Sequence, residues 1–392
     1  MAPLKSLKNF TKGFTKLDAL KIAVVGFLVL FALYERYKVF DESGGELETN
    51  RRAVQDLLKG DNTYGHTMNT YERADEYEDH GYAYLPSLMY TYAPFFIIWQ
   101  NTEYPLQRLW KIPVLLADLA VGAFLFFYLY KKDYLLMLVA LAMWFFNPYF
   151  VVRGSYTYTE PLGIFFMMLA LYFLGTKDIL AGVFYGAAFS YKAFPIVLFP
   201  LFLLKSKKPL KFLLSGAIFG LIVSLPFLKS VKDATYYVKG AFLVHGDRPA
   251  QGRPFLFYIQ HYTGLPIFNA GYTKIYTWAS ILLGWSVSVW AHLRGKLGGK
   301  LGNKYVLTMF SFIPFYLFTP VLNRTYLIWF IPVYVLGLYN LFENKGTGKE
   351  GRRPYLASVA LYALLFGFYI FYAWYLGQWV RGVRVLGTHV TF

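Results

Sequence analysis

The chain has no cysteine, so disulfide staples, thiolate metal sites and cysteine nucleophiles are excluded at once. Charge is scarce as well: Asp, Glu, Lys and Arg make up 16% of the residues, against 57% hydrophobic. With apolar runs of about 20 residues, that balance defines an all-α, polytopic helical membrane protein rather than a soluble domain. Acids are scarcer than bases, which leaves a formal net charge of +17. The Lys and Arg stand in short clusters between apolar runs, where they act as topology signals, so nucleic acid is not an expected partner. There is no Walker A sequence, no GxGxxG in a strand context, no HExxH and no zinc spacing, which argues against nucleotide-driven pumps and metalloproteases. No tandem or inverted repeat is visible, which counts against a secondary transporter.

What the chain does have is one strongly polar stretch, Phe40 to Pro86, carrying half of its acids and several Tyr. A loop of this kind between spans reads as a reaction chamber at a membrane surface. The basic, amphipathic N-terminal segment is expected to stay in the cytoplasm, and a first span over Ala19 to Val39 then delivers the acidic loop to the outer side. Within the loop, Glu46 to Lys59 has helical spacing, with Leu47, Val54, Leu57 and Leu58 available to one face and Gly60 as its stop. Leu85 to Gln100 is too short and proline-marked for a full span and predicts a partly embedded helix.

Further spans are expected over Trp110 to Tyr130, Leu135 to Phe150, Thr159 to Leu174, Phe212 to Leu228, Thr273 to Leu293, Tyr305 to Phe318, Tyr326 to Phe342 and Leu356 to Leu376. Ile179 to Leu204 is interrupted by Lys192 and Pro195 and predicts two short helices. Lys131 and Lys132, Lys177, residues 205–208, 294–300 and 343–353 mark one side as cytoplasmic. The tally is about 11 crossings in one unit, residues 1–392, with outer loops at 40–106 and 229–272. All the candidate chemistry then falls outside the cytoplasm, in a multi-pass protein of the cell membrane.

Four stretches carry a resemblance. Residues 44–64, GGELETNRRAVQDLLKGDNTY, resemble the first outer loop of the GT-C glycosyltransferases that use polyprenyl-phosphate sugars, in which an acid after the first span precedes an amphipathic helix and a Gly-x-Asn-x-Tyr turn. Residues 82–86, YAYLP, resemble that family's Tyr-x-Tyr-Pro-Pro element. Residues 181–195 and 320–332 are similar to its Lys-x-x-Pro and Tyr-x-x-Trp elements. The likeness is greatest to the bacterial lipid-linked mannosyltransferases of the phosphatidylinositol mannoside type and to the GPI-anchor mannosyltransferase. Glu46 stands where those enzymes usually carry Asp, and Asn323 where several carry His.

The resemblance implies transfer of a hexose, with mannose the leading choice, from a polyprenyl-phosphate (dolichyl-phosphate) donor to a lipid or glycan acceptor at the bilayer. Such a transfer needs one carboxylate to take the acceptor hydroxyl's proton during in-line attack, and cations to hold the departing phosphate. A single displacement inverts the anomeric centre and needs no second carboxylate nucleophile. Glu46 is the expected base, with Asp41 as second candidate. Glu48 joins Glu46 in a variant of a DxD pattern only if the segment is not helical, since on a helix the two side chains diverge by roughly 200 degrees. The plainer reading of both acids is a helix start favoured by the macrodipole. Only one phosphate leaves, so no cofactor or metal is required, although a divalent cation is compatible.

For the phosphate the candidates are Arg324, Arg248, Arg253 and Lys192, with His245 as a helper, because buried cations need a partner or a function. Tyr82, Tyr84, Tyr156 and Tyr158 offer aromatic faces to a sugar ring, or else form an interfacial belt. Glu160, Asn323 and Tyr326 complete the candidate sugar and acceptor contacts. The rival class is a carrier, a lipid-linked sugar flippase or solute transporter. The gathering of ionisable residues on one predicted side, with few at mid-membrane depth, favours the enzyme.

Overall fold

The structure, a computed structural model, describes residues 15–44, 46–72, 81–244, 251–267, 272–295, 299–343 and 355–380. It is all-α, with 17 α-helices among those residues. Helix α1 (Lys16–Lys38) begins at a reciprocal capping box between Thr15 and Asp18. The acidic loop folds into α2 (Glu46–Lys59) and α3 (Thr63–Glu72). Gly60, at φ 82°, takes the left-handed conformation that ends α2 where the sequence indicates. Next come α4 (Ser87–Gln100), the short helix expected after Pro86, and α5 (Leu106–Leu129).

The expected span Leu135 to Phe150 is two pieces instead, α6 (Tyr134–Phe145) and α7 (Pro148–Arg153). Pro148 has no amide proton to continue the helical ladder, and buried Asn147 caps the new start by accepting from the Phe150 amide at 3.1 Å. Helices α8 (Glu160–Phe173) and α9 (Asp178–Tyr191) follow. The interruption expected near Lys192 and Pro195 is there: a 3-10 turn covers Phe194–Leu198 before α10 (Phe199–Lys205). The order closes with α11 (Pro209–Ser224), α12 (Val231–Val238), α13 (Phe255–Thr263), α14 (Thr273–Leu293), α15 (Lys304–Phe318), α16 (Phe330–Phe342) and α17 (Tyr355–Val380). Among the described residues, Lys16–Lys38, Leu106–Leu129, Pro209–Phe227 and Tyr355–Gln378 are long and apolar enough to cross a membrane, and shorter apolar helices stand beside them.

Close packing of α9 on α11 is set by small residues. A Cβ on Gly182 would lie 2.2 Å from the Phe212 carbonyl oxygen, so only glycine allows the helices this approach. Gly186 meets Gly216 in the same seam, and each belongs to a GxxxG spacing that the sequence reading did not weigh. Helix α8 also packs on α9, and α14, α15 and α16 stack in sequence order.

The two ends of this bundle differ chemically. At one end Asn303 donates to Asn340 at 2.9 Å, Lys304 donates to the Tyr172 carbonyl at 2.9 Å, and Lys132 lies 3.6 Å from the centre of the Tyr128 ring. At the other end lie the start of α8, the end of α9 and the turn between α15 and α16. A two-residue parallel pairing, Gln251–Gly252 with Val321–Leu322, ties that turn to the second polar loop. It was not expected from the sequence.

Near this second end α1 is anchored by a buried ion pair, Arg36 Nε to Asp118 Oδ2 at 2.7 Å, with side chains 1% and 0% exposed. The guanidinium also donates to the Phe145 carbonyl at 2.9 Å and lies 5.0 to 5.4 Å from the rings of Phe150, Tyr156 and Phe145. Removing one member of such a pair strands the other in an apolar interior. Arg36→Met is therefore expected to cost about 3–5 kcal/mol, and Arg36→Met with Asp118→Leu much less. Thermal melting of both variants in detergent checks this: a double variant no more stable than the single one would contradict it.

Candidate functional site

Glu46 is the first residue of α2, and its Oε1 accepts from the Tyr84 hydroxyl at 3.0 Å. Tyr84 is held in turn by Tyr64, a fully buried ring whose hydroxyl donates to the Tyr84 carbonyl at 2.7 Å. Tyr64 sits edge-on to Tyr82, Phe227 and Tyr237, with ring centres 5.0 to 5.9 Å apart. Asn62, two residues earlier, donates to the Asp233 backbone and side chain at 3.1 Å. The Asn and Tyr of the 60–64 turn thus join the first polar loop to the start of the second, and the geometry of Tyr84 against Glu46 follows from them.

The other two candidate bases are corrected by their surroundings. Asp41 is bound through both oxygens by Arg108, which holds its carboxyl below the usual carboxylate range and makes it a poorer proton acceptor. Glu48 points to the other side of α2, 61% exposed, and pairs with Arg51. Because α2 is helical from Glu46 onward, the two Glu side chains diverge, and the DxD-like joint action is not available. Among the described residues no three His, Asp or Glu side chains gather into a metal-ligating group.

The break after α9 brings the cationic candidates to the same end. Lys192, in extended backbone just past Tyr191, donates to Glu160 Oε1 at 2.7 Å, and the Thr325 hydroxyl donates to the same oxygen at 2.5 Å. The Glu160 side chain is 4% exposed and that of Lys192 15%. The ammonium also lies 4.6 Å from the Tyr326 ring centre and within electrostatic reach of Glu46. In the turn itself the Asn323 amide is 3.5 Å from the Tyr326 hydroxyl. Arg324 is half-buried, and among the described residues its guanidinium has no hydrogen bond or ion pair. Glu46, Tyr84, Glu160, Lys192 and the 323–326 turn therefore meet at one end of the bundle.

Other candidates are placed elsewhere. Arg253 is 1% exposed and clamps the polar loop to the last helix, donating to the Gln378 carbonyl at 2.6 Å, so it is a structural cation and not an open phosphate contact. Tyr82 is buried, with its hydroxyl given to the Leu85 carbonyl at 2.9 Å. Tyr156 and Tyr158 are buried too, Tyr156 against Arg36 and Tyr158 accepting from Asn147 at 3.1 Å, so their rings pack beneath the surface and are not a free sugar platform. His245 and Arg248, and the acids at 73–80, lie outside the described residues.

The sequence reading missed an aromatic groove of about 530 Å³, walled by Tyr258 and Tyr262 of α13, Tyr316 of α15, Phe330 and, on α17, Phe371 and Trp374. Tyr316 of its wall donates to the Tyr326 carbonyl at 2.9 Å, and Tyr372 of α17 donates to the Arg324 carbonyl at 2.6 Å. Leu327, just after the turn, also lines the groove. Comparison with known proteins returned no match among family models, curated proteins or solved structures.

The strand pairing beside the turn depends on Gly252, at φ 74°, where a Cβ would fall 2.1 Å from the Leu322 carbonyl oxygen. Gly252→Ala is expected to break the pairing at a cost of about 1–3 kcal/mol. Faster amide exchange at Arg253, whose N–H is bonded to the Leu322 carbonyl at 3.0 Å, reports it; unchanged protection there would refute the clamp.

Proposed function

We propose that this chain is a GT-C-like membrane glycosyltransferase with about 11 crossings. It moves one hexose, mannose in the first instance, from a polyprenyl-phosphate carrier to a lipid or glycan acceptor on the extracytoplasmic side. What carries the reading is that Glu46 lies within electrostatic reach of the largely buried Lys192, whose partner Glu160 also bonds Thr325 in the turn that bears Arg324. The groove suits an isoprenoid chain, and the guanidinium suits the phosphate that the chain bears.

In this reading the acceptor hydroxyl oxygen attacks C1 of the sugar as its proton passes to Glu46. The bond from C1 to the phosphate oxygen breaks on the opposite face, so configuration inverts. The leaving polyprenyl phosphate keeps the electron pair, and Arg324 stabilises its charge. Tyr84 orients the carboxylate by donating to its Oε1. Lys192 offsets the charge of Glu160 at rest and adds a second cation beside the departing phosphate.

Purified protein with radiolabelled polyprenyl-phosphate mannose and a membrane lipid extract tests this directly. Glu46→Gln is expected to lower transfer by about 10²–10⁴-fold with melting unchanged, and Glu48→Gln to leave it near the parent level. Arg324→Ala should raise the donor KM by roughly 10- to 100-fold, the loss of one charge-assisted contact. Absence of turnover together with vesicle transport of a lipid-linked sugar that survives Glu46→Gln would replace the enzyme by a carrier.

A further inference from the structure

Beside Glu46 lies a small cleft between the loop before α2, the first turns of α2, the start of α5 and residues 156–159. Its free space is about 30 Å³, enough for roughly two water-sized groups. Asn50, which lines it, follows Glu46 by four residues and so shares its face of α2. Asn50 is 1% exposed, yet neither its amide oxygen nor its amide nitrogen has a hydrogen-bond partner among the described residues. Glu42 Oε2, also on the cleft, is buried and unpartnered in the same sense. A polar side chain in this state destabilises the protein unless something enters to bond it, and the neighbouring Leu47 and Val54 show that this stretch of α2 accommodates apolar residues.

What would enter is constrained by the lining. The Lys111 ammonium, donating to the Val39 carbonyl at 2.6 Å, already faces the Glu42 carboxylate and supplies the countercharge that a metal ion would otherwise bring. An amide that both donates and accepts, beside a carboxylate oxygen that only accepts, matches hydroxyl groups, each of which does both. The buried rings of Trp110 and Tyr158 close the cleft on its apolar side. Two such groups fit, and a whole ring does not.

We infer that the cleft takes two neighbouring hydroxyls of a cyclic polyol, a sugar or an inositol ring, whose body stays at the mouth with another hydroxyl turned to Glu46. Asn50 is the positioning residue that bonds the pair. That this polyol is the transfer acceptor rests on the transferase reading; its fit to the cleft does not.

Saturation-transfer NMR on the full-length protein in detergent, titrated with methyl α-mannoside, myo-inositol and, as control, cyclohexane-1,4-diol, tests the site. Saturable binding of the mannoside, the inositol or both is expected, without binding of the control, and the pattern tells which ring is read. Asn50→Leu should weaken it by about tenfold or more while leaving the melting temperature equal or higher, since an unsatisfied amide is removed. Glu42→Gln, in the loop, should weaken it too. No saturable binding of either polyol, or binding indifferent to both substitutions, overturns the inference. Mannose transfer whose acceptor KM ignores Asn50→Leu removes the cleft and leaves the transferase. Polyol binding sensitive to Asn50→Leu, in a protein that transfers nothing, removes the transferase and leaves the cleft.

Discussion

An ammonium and a carboxylate buried together are hard to separate, because each left alone would face an apolar interior. The Lys192 and Glu160 pair is such a couple, and three parts of the chain are fixed by it. Glu160 opens α8, Lys192 ends α9, and Thr325 brings the turn between α15 and α16 onto the same carboxylate oxygen. The helix break at Lys192 is the geometric condition: a continuous helix through Pro195 would lose a ladder bond and carry the lysine elsewhere.

A second line of support runs through aromatic rings. Tyr64 is buried among Tyr82, Phe227 and Tyr237, and its hydroxyl reaches the backbone of Tyr84. Position therefore passes from a packed, desolvated ring to a hydroxyl at the edge of the site, and from there to Glu46. An exposed carboxylate on a helix end would otherwise sample several rotamers. One oriented bond reduces that freedom, which is how a supporting shell of side chains gives a loop the accuracy expected of regular structure.

Much of this was legible in the residues, for stated reasons. Helix α2 was readable because Leu47, Val54 and Leu57 recur at helical spacing and Gly60 stops them; the break near Lys192 was readable from a lysine and a proline in an apolar run. The division of α6 from α7 was missed because Asn147 and Pro148 sit inside a run whose composition is uniformly apolar. Glu46, Lys192, Glu160 and the 323–326 turn were named as candidates, yet nothing in their spacing told that Glu160 and Lys192 bond each other. Arg253 was misread because an arginine that clamps two segments and one that awaits a phosphate look alike in a sequence. Asn50 was hidden on a face read as hydrophobic, and Arg36 with Asp118 escaped notice because each lies alone in a different span.

The pairing of Gln251–Gly252 with Val321–Leu322 is parallel, and parallel strands cannot be joined by a tight turn. Here the connection contains α13, α14 and α15. During synthesis, therefore, the earlier strand emerges without its template, and the guanidinium-bearing turn takes shape only after three intervening helices have been made and docked. The most chemically demanding corner of the molecule is among the last to mature, so a nascent chain carries its scaffold well before it carries a finished centre.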